Sequence, residues 1–236
     1  MCWTSAGNLP RVATPDYPPN PVRSQTAVRK PSQSARGSHA VTVVDEHPTS
    51  QRAPWAKKKI LETATELFYD EGIRLVGVDR LIGESHVTKA TFYKHYRSKD
   101  NLVIAYVTGQ HLEDKEYIET LIRESPGPRE ALNAIVARDV AHLMGSGFRG
   151  SHFLNAASEY PDPEHPIRQL ISAHRDWFSS TIESLLGELG HPLPGEGADD
   201  FMVAHDGAMA GGYAGDPIAA SGALQRSVAR ILDEIA

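Results

Sequence analysis

Apolar side chains recur at helical spacing along most of the chain, and the most informative example lies at residues 78–99. This segment reads VDRLIGESHVTKATFYKHYRSK. Leu81 and Ile82 supply the apolar face of a first short helix. Phe92 and Tyr96 are four residues apart, so they share the inward face of a second one. The pattern predicts two short helices joined by a tight turn, with a third helix starting near the end of the segment.

Polar residues mark the starts of the second and third helices. Thr88 and Ser98 stand where a hydroxyl can accept a hydrogen bond from a free N–H group of the first turn. The remaining side chains of the second helix point outward or sideways, and they are Lys89, Ala90, Thr91, Tyr93, Lys94 and His95. Small and hydroxyl side chains reach base edges, whereas Lys, Tyr and His reach phosphates. This face therefore suits a nucleic-acid groove.

Further apolar stripes predict helices before and after this segment. A helix that starts near Pro54 and ends at Gly72 precedes it, and a long helix runs from Lys99 towards Arg123. Clusters of glycine and proline separate four further predicted helices. These run from Pro128 to about Met144, from about Glu164 to Gly187, near Asp199–Tyr213 and over Pro217–Ile235. A Gly/Pro-rich loop is predicted at 190–197. No segment shows the period-two alternation of strands, so the predicted fold class is all-α.

Charge divides the chain into three parts. Residues 1–52 carry six basic and three acidic side chains, and residues 53–99 carry nine and six. Residues 100–236 carry nine basic and twenty-one acidic ones, a net charge of −12. Positive charge thus collects around the short-helix motif and ahead of it, as expected for a nucleic-acid-binding part, and the acidic part is expected to stay away from DNA.

The first fifty residues differ in composition from the rest. They hold seven of the sixteen prolines and show little periodicity, and such a segment buries too little apolar area to offset the entropy of ordering. We therefore predict a disordered arm at 1–52, a DNA-binding domain at 53–99 and a helical domain at 100–236. The arm is either a tail without a role or a basic arm that adds non-specific DNA affinity.

The predicted cellular location follows from the lack of a membrane helix, a secretory signal and a possible intrachain disulfide. No apolar run approaches the roughly eighteen residues of a membrane helix, and no basic start is followed by the apolar stretch of a secretory signal. The single cysteine, Cys2, permits no intrachain disulfide. These features predict a cytoplasmic protein.

Two stretches together resemble the DNA-binding domain of the tetracycline-repressor (TetR) family. They read KKKILETATELFYDEG and VDRLIGESHVTKATFYKHYRSKDNL, and the resemblance covers roughly Ala53 to Val107. Two positions depart from the family pattern, because His86 stands in the turn where glycine is usual and Gly77 stands where threonine is frequent. The expected DNA contacts are Thr88, Lys89, Ala90, Thr91, Tyr93, Lys94, His95 and Lys99.

The resemblance also implies an architecture and a function. It implies nine helices and a homodimer whose last two helices form a four-helix interface. The small residues expected there are Gly207, Ala208, Ala210, Gly211, Gly212 and Ala214. It implies a transcriptional regulator, usually a repressor, that a small-molecule effector releases from double-stranded operator DNA. The alternative is an architectural protein that binds DNA constitutively, without ligand control.

A few polar residues of the C-terminal part are expected to face inward. Asn155 and Glu159 share one helical face, and His174 and the His205–Asp206 pair lie in otherwise apolar helices. The predicted effector-binding residues are Asn155, Glu159, His174, Trp177 and Asp206. Three alternatives stay open, namely a hydrogen-bond network that satisfies itself, simple exposure of these residues on the surface, and a divalent-cation site. No H-x-x-x-H spacing is present, so neither a metal nor a cofactor is predicted.

An enzyme would need a catalytic motif. The chain has no Gly-rich phosphate loop of the usual spacing and no nucleophile elbow. Cys2 lies in the predicted arm and therefore cannot be a preorganised nucleophile. The sequence is that of a binding protein rather than of a catalyst.

Overall fold

The computed structural model of the protein describes residues 49–235, with side chains from Trp55 onward. All regular structure in this range is helical, as predicted. The helices are α1 (Thr49–Glu71), α2 (Val78–Glu84), α3 (Lys89–Tyr96), α4 (Lys99–Glu124), α5 (Pro128–Leu143), α6 (His152–Glu159), α7 (Pro166–Glu188), α8 (Pro194–Ala214) and α9 (Pro217–Asp233). The predicted arm lies outside the described residues except for its last four positions, which belong to α1.

Some helix bounds differ from those predicted. Helix α1 begins at Thr49, five residues before Pro54. Helix α8 begins at Pro194, so half of the Gly/Pro-rich stretch at 190–197 is helical rather than loop. Proline fits the first turn of a helix, where its missing N–H group has no partner to lose. Prolines also open α5, α7 and α9.

Helices α1–α3, called the head below, share an apolar core with the first helices that follow them. Phe92 and Leu81 are fully buried in this core together with Leu102 of α4. Ala156 of α6 and Ile167 of α7 belong to the same cluster. The head therefore packs directly on helices α4, α6 and α7.

Helices α4–α9 are called the body. Its core joins the second half of α4 to α5, α7, α8 and α9. Gly212 brings α8 close to α5, because a Cβ atom there would lie 2.5 Å from Leu143 Cδ2. Of the six small residues expected at a dimer interface, Ala208 and Gly212 are buried within the protomer. Only the other four are exposed, namely Gly207, Ala210, Gly211 and Ala214.

No helix within residues 49–235 is both long enough and apolar enough to cross a bilayer.

Candidate nucleic-acid interface and effector region

The helix-turn-helix of the head is α2, the turn at residues 85–88, and α3. Thr88 caps α3, because its hydroxyl accepts a hydrogen bond from Thr91 N at 3.2 Å. Phe92 and Tyr96 are buried on the inward face of α3, as their spacing predicted. Burial raises the pKa of Tyr96 to about 12, and its hydroxyl donates to the Lys57 carbonyl at 2.9 Å, which ties α3 to α1.

The turn accommodates His86 in a conformation that favours glycine. Its φ angle is 55°, within the left-handed region that non-glycine residues rarely adopt. The preceding Ser85 is buried, and its hydroxyl donates to the Leu81 carbonyl at 2.5 Å. Val87, which follows, is only partly buried. Residue 86 therefore has a left-handed backbone conformation even though it is not glycine.

All eight predicted DNA contacts remain accessible on α3 and at its two ends. The exposed residues are Thr88, Lys89, Ala90, Tyr93 and Lys94, and the half-buried ones are Thr91, His95 and Lys99. Ser98 caps α4 by accepting from Asn101 N at 3.1 Å, as predicted. Burial lowers the pKa of Lys99.

The sequence interpretation missed Arg80, which joins α2 to α1. Its guanidinium donates to both carboxylate oxygens of Glu71 and, at 2.7 Å, to Glu84. These hydrogen bonds raise the pKa of Arg80 and lower that of Glu71. Arg80 therefore orients α2 instead of standing free for phosphate.

The five predicted effector residues fall into separate environments. Glu159 accepts hydrogen bonds from Ile73 N at 2.7 Å and Arg74 N at 2.6 Å, so its carboxylate faces the head. Asn155 donates to the Arg149 carbonyl at 2.7 Å. Helical spacing fixes only that the two residues share a face of α6, and in the structure both bind backbone groups rather than lying beside His174, Trp177 and Asp206. The effector role of the five residues remains a prediction.

His174 lies in an aromatic cluster of the body. Its ring stacks on Phe153 with centroids 3.5 Å apart, and its Nδ1 lies 3.0 Å from His111 Nδ1. Trp177 packs one turn further along α7, 5.6 Å from the His174 ring. Burial, assisted by His111, lowers the pKa of His174 to about 3, so the imidazole is neutral at physiological pH.

Asp206 belongs to an ionic network that crosses the body from α4 to α8. Asp114 pairs with Arg138, Arg138 lies 3.6 Å from Asp139, and His205 Nε2 lies 3.7 Å from Asp139. His205 Nδ1 and Asp206 are 3.3 Å apart. Asp206 also pairs with Arg175 of α7, at the outer end of the network.

The network shifts the pKa of its members in opposite directions. Burial raises the pKa of Asp114 against the opposing effect of Arg138. Burial lowers the pKa of His205, but the carboxylates of Asp139 and Asp206 outweigh burial and leave it raised. Among the residues that the structure describes, Asp139 Oδ2 is buried without a hydrogen-bond partner, although His205 Nε2 lies 3.7 Å away.

A groove of about 300 Å³ lies between α4 and α7. It combines apolar, hydroxyl and carboxylate groups, and its lining is Ile122, Trp177, Ser180, Thr181, Ser184, Leu185 and Glu188. Trp177 is the one predicted effector residue that lines it. Among residues 49–235, no group of three or more His, Cys, Asp or Glu side chains is arranged to hold a metal ion.

The exposed basic and hydroxyl face of α3, held by a buried aromatic pair and joined to a helical body, defines a helix-turn-helix DNA-binding protein. The family model for bacterial regulatory proteins of the tetR family matches residues 60–106. A TetR-family transcriptional regulator from Streptomyces coelicolor has a similar structure, with 36% sequence identity over 76% of this chain and 95% of that one and a TM-score of 0.74. The chain belongs to the TetR family and is a DNA-binding transcriptional regulator.

Two more distant structures share the fold. A putative TetR regulator from Streptomyces avermitilis is 22% identical, with 76% of this chain and 97% of that one covered and a TM-score of 0.68. Escherichia coli NemR is 17% identical, with coverages of 77% and 97% and a TM-score of 0.66. No curated protein sequence is a significant match to the chain.

Proposed function

We propose that the protein is a homodimeric transcriptional repressor that binds operator DNA through α3 and is released by a small-molecule effector bound in the body. The observation that carries the DNA part is the outward face of α3. Phe92 and Tyr96 fix its orientation from inside, and the eight accessible residues described above supply base-reading and phosphate-binding groups.

The exposed side of α8 and α9 supports the dimer. Gly207 and Gly211 are exposed, and within residues 49–235 nothing outside their own helix lies within 4 Å of a Cβ atom added to either. Val203 and Ile218 on the same pair of helices are each 70% exposed. Small and apolar side chains on a paired-helix surface allow a second copy to approach closely and bury them.

The effector is proposed to bind beside Trp177, in the groove between α4 and α7. Its lining offers an indole face, three hydroxyl groups and the Glu188 carboxylate, which resembles the mixed lining of small-molecule sites. His174 lies next to Trp177 and links the groove to the ionic network through Asp114, 3.7 Å away. Binding there releases DNA only if the effector prefers the DNA-incompetent state of the dimer.

One observation favours the alternative, which is constitutive DNA binding without ligand control. Asn155, Glu159 and Asp206 already have protein partners, so these polar groups do not require a ligand. A thermal-shift screen of small molecules, followed by operator-release assays on the hits, separates the two functions. Stabilising compounds that never release DNA would favour the alternative.

Operator binding by α3 is tested with Lys89→Ala and Tyr93→Phe. A duplex selected in vitro with the wild-type protein serves as the operator probe. Both variants are expected to bind it more weakly while keeping their thermal stability, because each removes an exposed polar contact. Lys89→Ala is also expected to reduce the slope of log affinity against log salt by about one unit per head.

The matched controls are Lys115→Ala and Tyr117→Phe on α4. Lys115 pairs with Glu119 at 3.8 Å and Tyr117 is exposed, so the chemical changes are the same but lie away from α3. Wild-type affinity and salt dependence in all four variants would overturn the assignment of α3.

A further inference from the structure

The Glu159 carboxylate at the end of α6 binds the backbone that follows the end of α1, and we call this contact the carboxylate clamp. Each oxygen of Glu159 accepts one backbone hydrogen bond, from Ile73 N and from Arg74 N. Gly72, which ends α1, has φ of +93°, and a Cβ atom there would lie 3.3 Å from Glu159 Oε1. Glycine thus supplies both the left-handed turn and the room that the carboxylate needs.

The second observation is a tyrosine clamp at the other end of α6. The Tyr69 hydroxyl donates to the Gly150 carbonyl at 2.9 Å and accepts from Arg149 N at 2.8 Å. Its ring stacks on His152 with centroids 4.0 Å apart. Asn155 supports the same turn by donating to the Arg149 carbonyl. The last turn of α1 and the residues directly after it are therefore held at both ends of α6.

Two separate anchor points restrain the angle between α1 and α6, whereas a single anchor point would allow α1 to rotate about it. Helix α6 has eight residues and is therefore about 12 Å long, so Tyr69 and Glu159 act on α1 from well-separated places. Hydrogen bonds to an ionised carboxylate are the stronger kind. The end of α1 cannot rotate on α6 without breaking at least one of the two clamps.

We propose that Tyr69 and Glu159 are positioning residues that fix the angle of the DNA-binding head on the body. In the dimer proposed above, this angle sets the distance between the two recognition helices and hence the half-site spacing that the protein accepts. The angle itself concerns a single protomer, so this part of the inference stands without the dimer. Neither residue is assigned a direct contact with DNA.

The angle is tested by measuring a distance within one protomer. Spin labels are placed at Glu66→Cys on α1 and Glu183→Cys on α7, both exposed positions, in a Cys2→Ser background. Labelled protein is diluted with unlabelled protein so that pairs between protomers do not contribute. Glu159→Gln and Tyr69→Phe are each expected to broaden the electron–electron distance distribution, because an amide accepts with only one of its two terminal atoms and phenylalanine has no hydroxyl.

The matched controls are Glu116→Gln and Tyr117→Phe, neighbouring exposed residues on α4 that are remote from the clamps. They are expected to leave the distribution as in the wild type. Hydrogen exchange at the amides of Ile73 and Arg74 reports the carboxylate clamp directly and should accelerate in Glu159→Gln. An unchanged distribution in both Glu159→Gln and Tyr69→Phe, with faster exchange at these amides, would overturn the proposal.

The consequence for DNA is tested with the selected duplex and with versions whose half-site spacing is two base pairs longer or shorter. Both clamp variants are expected to bind the preferred spacing about tenfold more weakly, because a head that samples several angles occupies the binding-competent angle for a smaller fraction of the time. They are also expected to discriminate less between spacings, with the salt dependence of affinity unchanged. If the wild-type protein shows no spacing preference, the dimer proposal fails. The distance measurement still tests whether Tyr69 and Glu159 fix the angle of the head within one protomer.

Discussion

At the scale of the residue, His205 has charged groups on two sides. It lies between Asp139 and Asp206 on a half-buried part of α8, with Arg138 and Phe178 also close. The positive charge of a protonated imidazole there offsets the negative charges of Asp139 and Asp206, which are partly shielded from water. Since the pKa of His205 in the folded protein is raised above 6.5, folding favours its protonation.

This raised pKa predicts a pH dependence of stability. The contribution of His205 is fully present below pH 6.5, the value in the unfolded chain, and is lost as pH rises through the folded-state pKa. The difference in free energy of unfolding between the wild type and His205→Asn should therefore shrink with rising pH, by at most about 1.4 kcal/mol per unit. Urea unfolding between about pH 6 and pH 9 measures it, and a difference that grows would contradict the assignment.

His86 supports a second prediction at this scale. Its exposed side chain and its φ of 55° mean that backbone strain dominates any substitution there. His86→Val should lower the free energy of unfolding by about 1–2 kcal/mol, because a β-branched residue is disfavoured in the left-handed region. His86→Gly should change it little, since relief of strain is offset by greater chain entropy. Chemical denaturation compares the two, and equal stabilities would refute the strain.

Residue partners were the least predictable part of the site. The spacing of Asn155 and Glu159 correctly placed them on one helix face, but their partners are backbone groups about eighty residues earlier or in the preceding turn. Sequence periodicity contains no information about such long-range pairs. Thr88 and Ser98 were predictable, because a cap interacts with the helix that directly follows it.

At the scale of the element, α8 uses its small residues in two ways. Gly212 faces α5, where a Cβ atom would also lie 3.5 Å from Ala220 and Phe148. Gly211, its neighbour, faces outward with open space around it. The sequence showed that the helix can approach others closely, but adjacent glycines lie on different faces and only the fold assigns each face a partner.

The inward face of α8 leads to a prediction about packing. Gly212→Ala should reduce the free energy of unfolding by about 1–3 kcal/mol, because the added methyl group forces Leu143 to move. Gly109→Ala, in the middle of α4 with nothing within 4 Å, should instead raise it by about 0.5–1 kcal/mol through helix propensity. Thermal or urea unfolding of the two variants checks the direction of both changes in free energy of unfolding. A stabilising effect of Gly212→Ala would show that the contact between Gly212 and Leu143 is loosely packed.

Helices were predicted better than their ends. Apolar stripes identified the helices around the motif and the long helices of the body, since core burial imposes a 3.6-residue period. The starts of α1 and α8 were misplaced, because proline was taken to begin one helix and a Gly/Pro-rich run to be a loop. Both choices rest on local propensity, which identifies the ends of helices less reliably than their middles.

At the scale of the whole molecule, the distribution of charge favours one orientation towards DNA. The region at 53–99 is basic and the region at 100–236 is strongly acidic. Phosphates therefore attract the head and repel the body, which favours the orientation proposed above, with α3 towards the groove. This division was readable from the sequence, because it requires only the order of charges along the chain.

Assembly of two such molecules is tested at Gly211. Gly211→Arg should convert a dimer into a monomer at micromolar concentration, because the interface would bury an unpaired charge at a cost of several kcal/mol. The control is Gly187→Arg on α7, which adds the same charge at an exposed site with nothing within 4 Å. Light scattering gives the mass of each variant. A wild-type monomer at that concentration would refute the two-headed assembly.

The two clamps at α6 have a consequence for how such a regulator can diversify. Glu159 binds main-chain N–H groups of the head, and Tyr69 binds main-chain groups of the body. The hydrogen bonds of both clamps end on backbone groups, so they do not depend on which side chains stand at positions 73, 74, 149 and 150. A head with altered base preference can therefore keep both clamps if it retains Tyr69, Gly72 and the apolar residues that it shares with α4, α6 and α7.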